Sequence, residues 1–567
     1  MNVTMLDPAV EGRPDAPGRG VAARAWGRSA GVAGVVIVAL RWWVVRNRHE
    51  YSLWPDEPAQ LAIARFVGGG THWTMRNHSI WRPGYGTLLG PVYAVTDDPS
   101  RVFRAAMGLN ALLGGVAAAV LVLLARRLTN FGPVGAGCCA VAVCATPALL
   151  FPTGFVWSES LIAPVYLATV LGLLRFWERP GRTAGLVVAV LCGVGLVTHS
   201  RLLPLALVTA LLVAMAVERR RLGRGDAVVV LAGLAVSLVV ASRYSAFVTS
   251  RLWDTPSERN SVGGVVDQLG DPGAIAVSAL GQAWYLLAGS LGLLRVAAVE
   301  LLRRRHGAGG VVGLVVAAQV TLSVIFMADR WRPDQLVYGR YNDVVVAPLL
   351  VIGVACLAGR AQTAWSRRQL AVVWATSGAV MLFAGVILRS VRAAELRESN
   401  GLEPMILAIQ PFVDARPSIP VLRITLIAGL LALVLLATVA TRVTGLTAVA
   451  LAVLLVVGAA RTEDVLDRGW NGSGGLAEVA ELAAPGGPLA GGEPVDYYLP
   501  AASNSTGRLM LYQWYLPDSE FTVVAQPLAE ASSEYVFAER DTPALRDAGA
   551  EVVWVDPLRP VALWDRS

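Results

Sequence analysis

The residues best suited to chemistry are two adjacent carboxylates, Asp56 and Glu57, which stand in a polar segment after the first apolar run. Pro58 follows them, and proline is favoured at the first position of a helix, which predicts a helix with Glu57 at its cap. Acids at a helix N-terminus have an ordinary structural explanation, because they offset the helix dipole. A functional explanation is also open, since an ionised carboxylate there can accept a proton or hold a cation.

The helix after Pro58 is predicted to be loosely amphipathic, with apolar Leu61, Ile63 and Phe66, and to lie along a membrane surface. The carboxylates would then stand where the first apolar run meets the outer face. An enzyme acting on a lipid-linked substrate needs them there. A divalent cation (Mg, Mn or Ca) on Asp56 and Glu57 would suit oxygen ligands, although no spacing demands a metal.

A second polar segment, residues 72–86, alternates aromatic residues with Arg and His. Trp and Tyr are enriched at membrane interfaces, so anchoring is one explanation. The other is a binding surface, on which aromatic faces contact sugar rings and Arg contacts oxyanions. On that explanation His78, Trp81 and Arg82 bind substrate.

Long apolar runs must position these residues. The chain has 567 residues, of which 55% are hydrophobic and 16% charged, and its mean hydropathy is +0.55. This composition predicts a polytopic α-helical membrane protein and excludes a disulfide scaffold, a coiled coil and a disordered chain. About thirteen runs are close to the roughly 20 residues that a bilayer core requires. They lie near 29–46, 105–125, 133–152, 160–177, 183–199, 202–217, 226–246, 275–300, 310–328, 344–359, 370–389, 421–440 and 445–460.

The charge distribution predicts the domains and their orientation. Arg residues concentrate in alternate short loops, which places those loops and a disordered N-terminal segment, residues 1–28, in the cytoplasm. Residues 29–460 form the transmembrane domain, whose first outer loop spans 47–104. An odd number of spans leaves residues 461–567 outside, and this tail holds 7 Arg against 17 Asp and Glu. Its apolar-alternating pieces, residues 508–514, 521–525 and 551–555, and a short helix after Pro543 predict a small α/β domain.

Three features together resemble the GT-C glycosyltransferases, membrane enzymes that use polyprenyl-phosphate sugars. This superfamily includes protein O-mannosyltransferases, lipid A aminoarabinose transferases and actinobacterial arabinosyl- and mannosyltransferases. The features are the Asp56-Glu57 pair in a long first outer loop, the short Ser158-Glu159-Ser160 turn, and the segment from Tyr338 to Pro348 with Arg340. The resemblance covers roughly residues 30–460, mainly as architecture.

The resemblance implies a role for each site residue. Asp56 would be the essential catalytic carboxylate, and Arg340 would meet the donor lipid phosphate. Arg is also the best bidentate phosphate partner on physical grounds, with snorkelling at the interface as the structural alternative. The predicted site comprises Asp56 and Glu57 as catalytic residues, Arg340, Arg201, Tyr341 and His199 as donor phosphate ligands, and Glu159, Arg82, Trp81, His78 and Asp343 as substrate-binding residues.

The implied reaction is inverting transfer of a sugar, arabinofuranose or mannose, from a polyprenyl-phosphate donor to a hydroxyl of a cell-envelope glycan, lipid or protein. It would occur on the outer face of the plasma membrane, with membrane lipids as further partners and no nucleic acid. The sequence lacks the longer motif typical of protein O-mannosyltransferases, which leaves sugar and acceptor open. The alternative is a transporter or flippase of lipid-linked precursors, although transporters usually carry ionisable residues deep in their spans. A scaffold protein with a binding tail is a third reading.

Overall fold

The described part of the chain is mainly helical. The structure, a computed structural model, describes residues 19–51, 56–70, 73, 75, 81–253, 266–329, 333–392, 408–409, 419–440, 444–470, 477–498, 506–524, 531–557 and 560–567. Predicted substrate residue His78 lies outside these residues, as do residues 1–18 of the N-terminal segment. The first ten helices are α1 (Arg19–Val44), α2 (Asp56–Val67), α3 (Gly84–Tyr93), α4 (Pro99–Leu128), α5 (Pro133–Cys144), α6 (Pro147–Leu150), α7 (Glu159–Glu178), α8 (Arg182–Thr198), α9 (Leu203–Glu218) and α10 (Arg224–Leu252). The remaining ones are α11 (Pro272–Gly289), α12 (Leu293–Arg303), α13 (Ala308–Phe326), α14 (Ala347–Leu357), α15 (Arg367–Val391), α16 (Val421–Ala440), α17 (Thr444–Trp470), α18 (Ala477–Glu481), α19 (Thr506–Tyr515) and α20 (Pro543–Asp547).

Each of the thirteen apolar runs coincides with one of these helices or with a bent helix pair. Within the described residues, seven helices are long and apolar enough to cross a membrane, or up to nine if each bent pair counts as one span. Three further apolar helices are shorter. The chain is therefore a multi-pass helical membrane protein, as predicted, while the count of about thirteen spans stays a prediction.

The N-terminal boundary differs from the prediction. Helix α1 begins at Arg19, so residues 19–28 are helical although they were expected to be disordered. This stretch is rich in Ala and Arg, which are among the best helix formers and extend the helix beyond its apolar part.

The run predicted at 275–300 is two helices, because α11 and α12 meet at a bend of 104°. Leu291 and Gly292 both have left-handed backbone there, with φ of 52° and 81°. Trp374 on α15 donates its indole N–H to the Leu291 carbonyl at 2.7 Å. The bend follows Tyr285 on α11, a residue of the candidate site.

The C-terminal part is an α/β domain, as predicted. Its strands are β1 (Val495–Tyr498), β2 (Phe521–Val524), β3 (Tyr535–Glu539), β4 (Glu551–Val555) and β5 (Val561–Asp565), in the order β2-β1-β3-β5-β4. Strand β1 is parallel to β2 and β3, and β5 is antiparallel to β3 and β4. Residues 508–514 were expected to alternate as a strand, but they lie in α19, and Leu509–Gln513 are all buried. Periodicity cannot separate a strand from a helix that is buried on every side.

The C-terminal domain contacts the loop that the sequence predicts to be the first outer one. The ring of Trp514 meets Tyr51 and Trp73 edge-on, with centroids 5.2 and 6.0 Å apart. Arg65, at the end of α2, donates to the Pro517 carbonyl at 2.6 Å.

The predicted boundary at 460–461 falls inside α17, which continues to Trp470.

Helix α2 is not the surface helix that the sequence predicted. Every residue from Glu57 to Arg65 is buried, because α2 packs against α3 and its last turn contacts the C-terminal domain. The helix also begins at Asp56, two residues before the predicted start, which leaves Pro58 in the first turn. Proline is tolerated there because the N–H groups of that turn need no helical partner.

Candidate active site

Two carboxylates and two guanidinium groups form a single ion cluster. They are Asp56 at the start of α2, Glu159 at the start of α7, Arg201 in the 3-10 turn Ser200–Leu202, and Arg340 in the turn before α14. The sequence separates them by up to 284 positions, yet each contacts at least one other member. All four were predicted as site residues, and the structure brings them together.

Arg340 is the centre of the cluster. Its Nε and Nη2 donate to the two oxygens of Glu159 at 2.7 and 2.9 Å, a bidentate pair. Its Nη2 also lies 2.6 Å from Asp56 Oδ2, and its guanidinium stacks 4.0 Å from the centre of the Trp157 ring. Burial would lower the pKa of Arg340, but the Glu159 and Asp56 carboxylates outweigh it and raise the pKa well above its usual value. Arg340 therefore carries a fixed positive charge.

Arg201 has an unused donor inside the protein. Its Nη1 lies 3.3 Å from Glu159 Oε1 and donates to the Arg340 carbonyl at 3.3 Å. The residue is only 6% exposed, and its Nη2 is buried with no partner among the described residues. Leaving a buried donor unsatisfied costs about 1–3 kcal/mol. An anionic oxygen at Nη2 would recover that free energy.

His199 and Tyr341 line the cluster beside Arg201. His199 Nδ1 accepts from the Arg201 main-chain N–H at 3.1 Å, and its ring meets Tyr341 edge-on at 5.7 Å. The Arg201 guanidinium lies 5.0 Å from the centre of the Tyr341 ring. Burial, together with Arg201, lowers the pKa of His199 well below its usual value, so the imidazole is neutral at neutral pH. Its predicted contact with phosphate would therefore be a hydrogen bond without charge.

Asp56 is the most exposed member of the cluster. Its side chain is 27% exposed, against 1% for Glu159 and 7% for Arg340. Trp81 donates its indole N–H to Asp56 Oδ1 at 2.8 Å, while Oδ2 faces Arg340. Asp56 is thus the carboxylate of the cluster that a substrate can reach.

Glu57 occupies a different place from its neighbour. It is fully buried, and its Oε1 accepts from the main-chain N–H of Val156 at 2.8 Å. The Asp56 and Glu57 carboxylates therefore contact different groups and do not form a shared metal site in this arrangement. Among the described residues, no group of three or more His, Cys, Asp or Glu could hold a metal ion. The catalytic role of Glu57 and the participation of a divalent cation therefore stay predictions.

Sequence reasoning missed the side chains that hold the second outer loop, residues 149–158. Arg41 on α1 donates to the Leu149 carbonyl at 2.6 Å. Asn110 on α4 donates to the carbonyls of Thr153 and Phe155 at 3.0 and 2.8 Å and accepts from the Tyr85 hydroxyl. This loop leads directly into Trp157 and Glu159, which contact Arg340. Polar residues inside apolar runs are the signal that could have identified Arg41 and Asn110.

Asp343 lies on the far side of the Arg340 turn. Both of its oxygens are within hydrogen-bond distance of the Tyr285 hydroxyl, at 2.9 and 3.0 Å. Burial raises the pKa of Asp343 well above its usual value. Gly339, which precedes Arg340, lies so close to the ring of Tyr285 that a Cβ atom there would overlap it. The turn therefore depends on glycine to reach its position.

An apolar groove of about 190 Å³ adjoins this turn. Asp343 and Tyr285 are among the few polar residues in its lining, which consists mainly of Leu, Val, Ala and Gly from α5, α11, α12, α14, α16 and α17. Arg82, the remaining predicted substrate residue, is half-buried, and its carbonyl accepts from Gln60 at 3.1 Å.

The membrane helices, the loops between them and the C-terminal α/β domain together share their fold with solved structures of ArnT, which confirms the predicted resemblance at the level of the fold. The chain is similar to ArnT from Cupriavidus metallidurans bound to undecaprenyl phosphate, with a TM-score of 0.54 and 16% identity over 94% of this chain and 97% of that one. ArnT in the apo state gives a TM-score of 0.53 and 16% identity over 96% and 98%. Arabinosyltransferase EmbB from Mycobacterium smegmatis is more distant, with a TM-score of 0.43 and 16% identity over 81% of this chain and 43% of that one. Neither a scan of protein-family models nor a search of curated proteins finds a match.

Proposed function

We propose that this protein is an inverting glycosyltransferase that moves one sugar from a polyprenyl-phosphate donor to a hydroxyl acceptor at the outer face of the membrane. The observation that carries the proposal is the position of Asp56. It is the most exposed carboxylate of the cluster, and its Oδ2 contacts a fixed guanidinium beside a second guanidinium with a free buried donor. A base next to an anion site is what transfer from a phosphate ester requires.

The two arginines form the phosphate site in this proposal. Arg201 Nη2 is free to donate to one phosphate oxygen. Arg340 Nη2 can give up its contact with Asp56 and donate to a second phosphate oxygen instead. Glu159 keeps both guanidiniums oriented through its bonds to each of them. Tyr341 and His199 complete the wall on the side of Arg201. The likeness to ArnT bound to undecaprenyl phosphate supports a donor of this class.

The apolar groove provides a place for the prenyl chain. It is lined almost entirely by hydrocarbon and reaches Asp343, three residues after Arg340. A chain lying there would bury apolar surface at about 25 cal/mol per Å², while its phosphate reaches the arginines.

The reaction would proceed in one displacement. The acceptor hydroxyl gives its proton to Asp56 Oδ2, and its oxygen bonds to the anomeric carbon from the face opposite the phosphate. The bond between that carbon and the phosphate oxygen breaks, and the electron pair leaves with polyprenyl phosphate. Arg340 and Arg201 stabilise the charge on the leaving oxygen. The leaving phosphate needs no proton, so a single base is sufficient.

The topology in this proposal keeps the N-terminus in the cytoplasm and the C-terminal domain outside. Arabinofuranose or mannose is the sugar, and a glycan, lipid or protein hydroxyl of the cell envelope is the acceptor. A lipid flippase is not favoured, because the ion cluster lies at the ends of helices and in turns.

The test uses membranes that contain the protein and a panel of radiolabelled polyprenyl-phosphate sugars, with and without EDTA. Wild type should consume one donor, and Asp56→Asn should consume it at least 10³-fold more slowly. Asp97→Asn is the matched control, because Asp97 lies in the same outer loop, is half exposed and pairs only with Arg65 among the described residues. The EDTA arm decides whether a divalent cation takes part. Donor consumption that is equal in wild type and Asp56→Asn would refute the proposal.

A further inference from the structure

One contact of Asp56 is not used by the mechanism above. Trp81 Nε1 donates to Asp56 Oδ1 at 2.8 Å, whereas Arg340 Nη2 lies 2.6 Å from Oδ2. The two oxygens of this carboxylate are therefore held by groups from different loops, and together they fix its plane. An indole N–H is a donor only and does not titrate, so it can hold the carboxylate without exchanging a proton with it.

We propose that Trp81 is a positioning residue that holds Asp56 Oδ1 and thereby makes Oδ2 the oxygen that accepts the proton. This inference rests on the proposed function. When the donor phosphate takes Arg340 Nη2, Oδ2 loses its partner and becomes free to act as the base. The bond from Trp81 to Oδ1 then remains, and it keeps the carboxylate from turning away from the acceptor.

Trp81 packs against a buried aromatic residue. Its ring stacks on Trp253, with centroids 6.1 Å apart and planes at 29°. Trp253 directly follows α10, is 4% exposed, and forms a parallel bridge with Met75 in the first outer loop. The Met75 N–H donates to the Leu252 carbonyl at 3.1 Å. Trp81 is therefore held against the end of a long helix.

The two tryptophans differ in one respect that makes them a matched pair. The indole N–H of Trp81 donates to Asp56, whereas that of Trp253 is buried and has no acceptor among the described residues. Changing each to Phe keeps an aromatic ring and removes one N–H. Only the change at Trp81 removes a hydrogen bond to the base.

The experiment compares Trp81→Phe and Trp253→Phe in full-length protein purified in detergent, with the donor that wild type consumes. We expect Trp81→Phe to lower kcat about tenfold or more while the KM for donor stays within twofold. Trp253→Phe should stay within twofold of wild type in kcat and in the KM for donor. Trp81→His retains a ring N–H and should recover part of the rate if Trp81→Phe folds poorly.

The other outcomes are distinguishable. A Trp81→Phe protein with wild-type kcat and wild-type KM for donor would refute the inference and leave the proposed function standing. A raised KM for acceptor at unchanged kcat would also refute it, since Trp81 would then bind acceptor. If wild type consumes no donor, the proposed function fails first and the role of Trp81 in transfer fails with it.

Discussion

Replacing Arg340 by Lys tests the phosphate site with the least disturbance of charge. Arg340 makes three close contacts with carboxylate oxygens, at 2.6, 2.7 and 2.9 Å, and two of them form a bidentate pair with Glu159. Lysine keeps the positive charge between Glu159 and Asp56, so neither carboxylate becomes an unpaired buried anion. It cannot, however, present two parallel N–H groups to one partner and a third to another.

The expected loss follows from the donor that lysine cannot supply. With the single ammonium held by Glu159, the donor phosphate loses one charge-assisted hydrogen bond in the transition state. Removing one such donor typically costs about 2.7–4 kcal/mol, or about 10²–10³ in kcat. Because the charge remains, we expect the kcat of Arg340→Lys to be about 10²-fold lower than that of wild type.

The assay is the initial rate of polyprenyl phosphate release from donor in detergent, measured for kcat and for kcat/KM. Arg101→Lys, a change of an exposed arginine in the first turn of α4, provides the matched control and should match wild type. An Arg340→Lys rate within threefold of wild type, for a protein that elutes as one species, would refute the assignment of Arg340 to the phosphate.

Three further predictions concern the elements that hold the site. Gly339→Ala should lower kcat at least tenfold, because a Cβ would overlap the Tyr285 ring and displace the Arg340 turn. Wild-type kinetics in this variant would show that the turn tolerates the change. Asn110→Asp keeps the acceptor for Tyr85 but removes both hydrogen bonds that Asn110 donates to residues 149–158. The KM for donor should therefore rise several-fold, and thermal stability in detergent is measured beside it. An unchanged KM would contradict the role given to that loop. Asp343 has a folded pKa raised by burial above an unfolded value of about 3.9, so its contribution to stability is full below that pH and is lost as pH rises through the folded pKa. Asp343→Asn should therefore increase the free energy of unfolding more at pH 7.5 than at pH 5, by up to about 1.4 kcal/mol per pH unit between them. The measurement is the unfolding temperature in detergent, which should rise more at pH 7.5, and an equal rise at both pH values would exclude a raised pKa.

Local signals in the sequence were sufficient to predict the positions of the apolar helices, and the family resemblance contributed charged residues of the site. Apolar length predicted each helix position, because every long run must cross or enter a bilayer. Asp56 stood out as a carboxylate at a predicted helix start after the first apolar run, whereas Arg340 was identified through the resemblance to the GT-C transferases. Neither local pattern predicted that the two residues contact each other, because 284 positions separate them in the chain.

The rest of the site depends on long-range packing, which the local pattern does not contain. Helix α2 looked amphipathic because its sequence does not reveal that the C-terminal domain and α3 cover it. Glu57 looked equivalent to Asp56, and only the fold shows that it bonds to the Val156 main chain. Residues 508–514 looked like a strand because a helix buried on every side has no polar face to reveal its period.

The most direct test of the central claim is a single-turnover measurement of free polyprenyl phosphate by mass spectrometry, after mixing purified protein with donor and a membrane extract as acceptor. If Asp56 is the base, wild type and Asp97→Asn should each release one polyprenyl phosphate per sugar transferred, and Asp56→Asn should release at least 10³-fold less in the same time. Equal release by Asp56→Asn, or sugar transfer without release of polyprenyl phosphate, would contradict the mechanism.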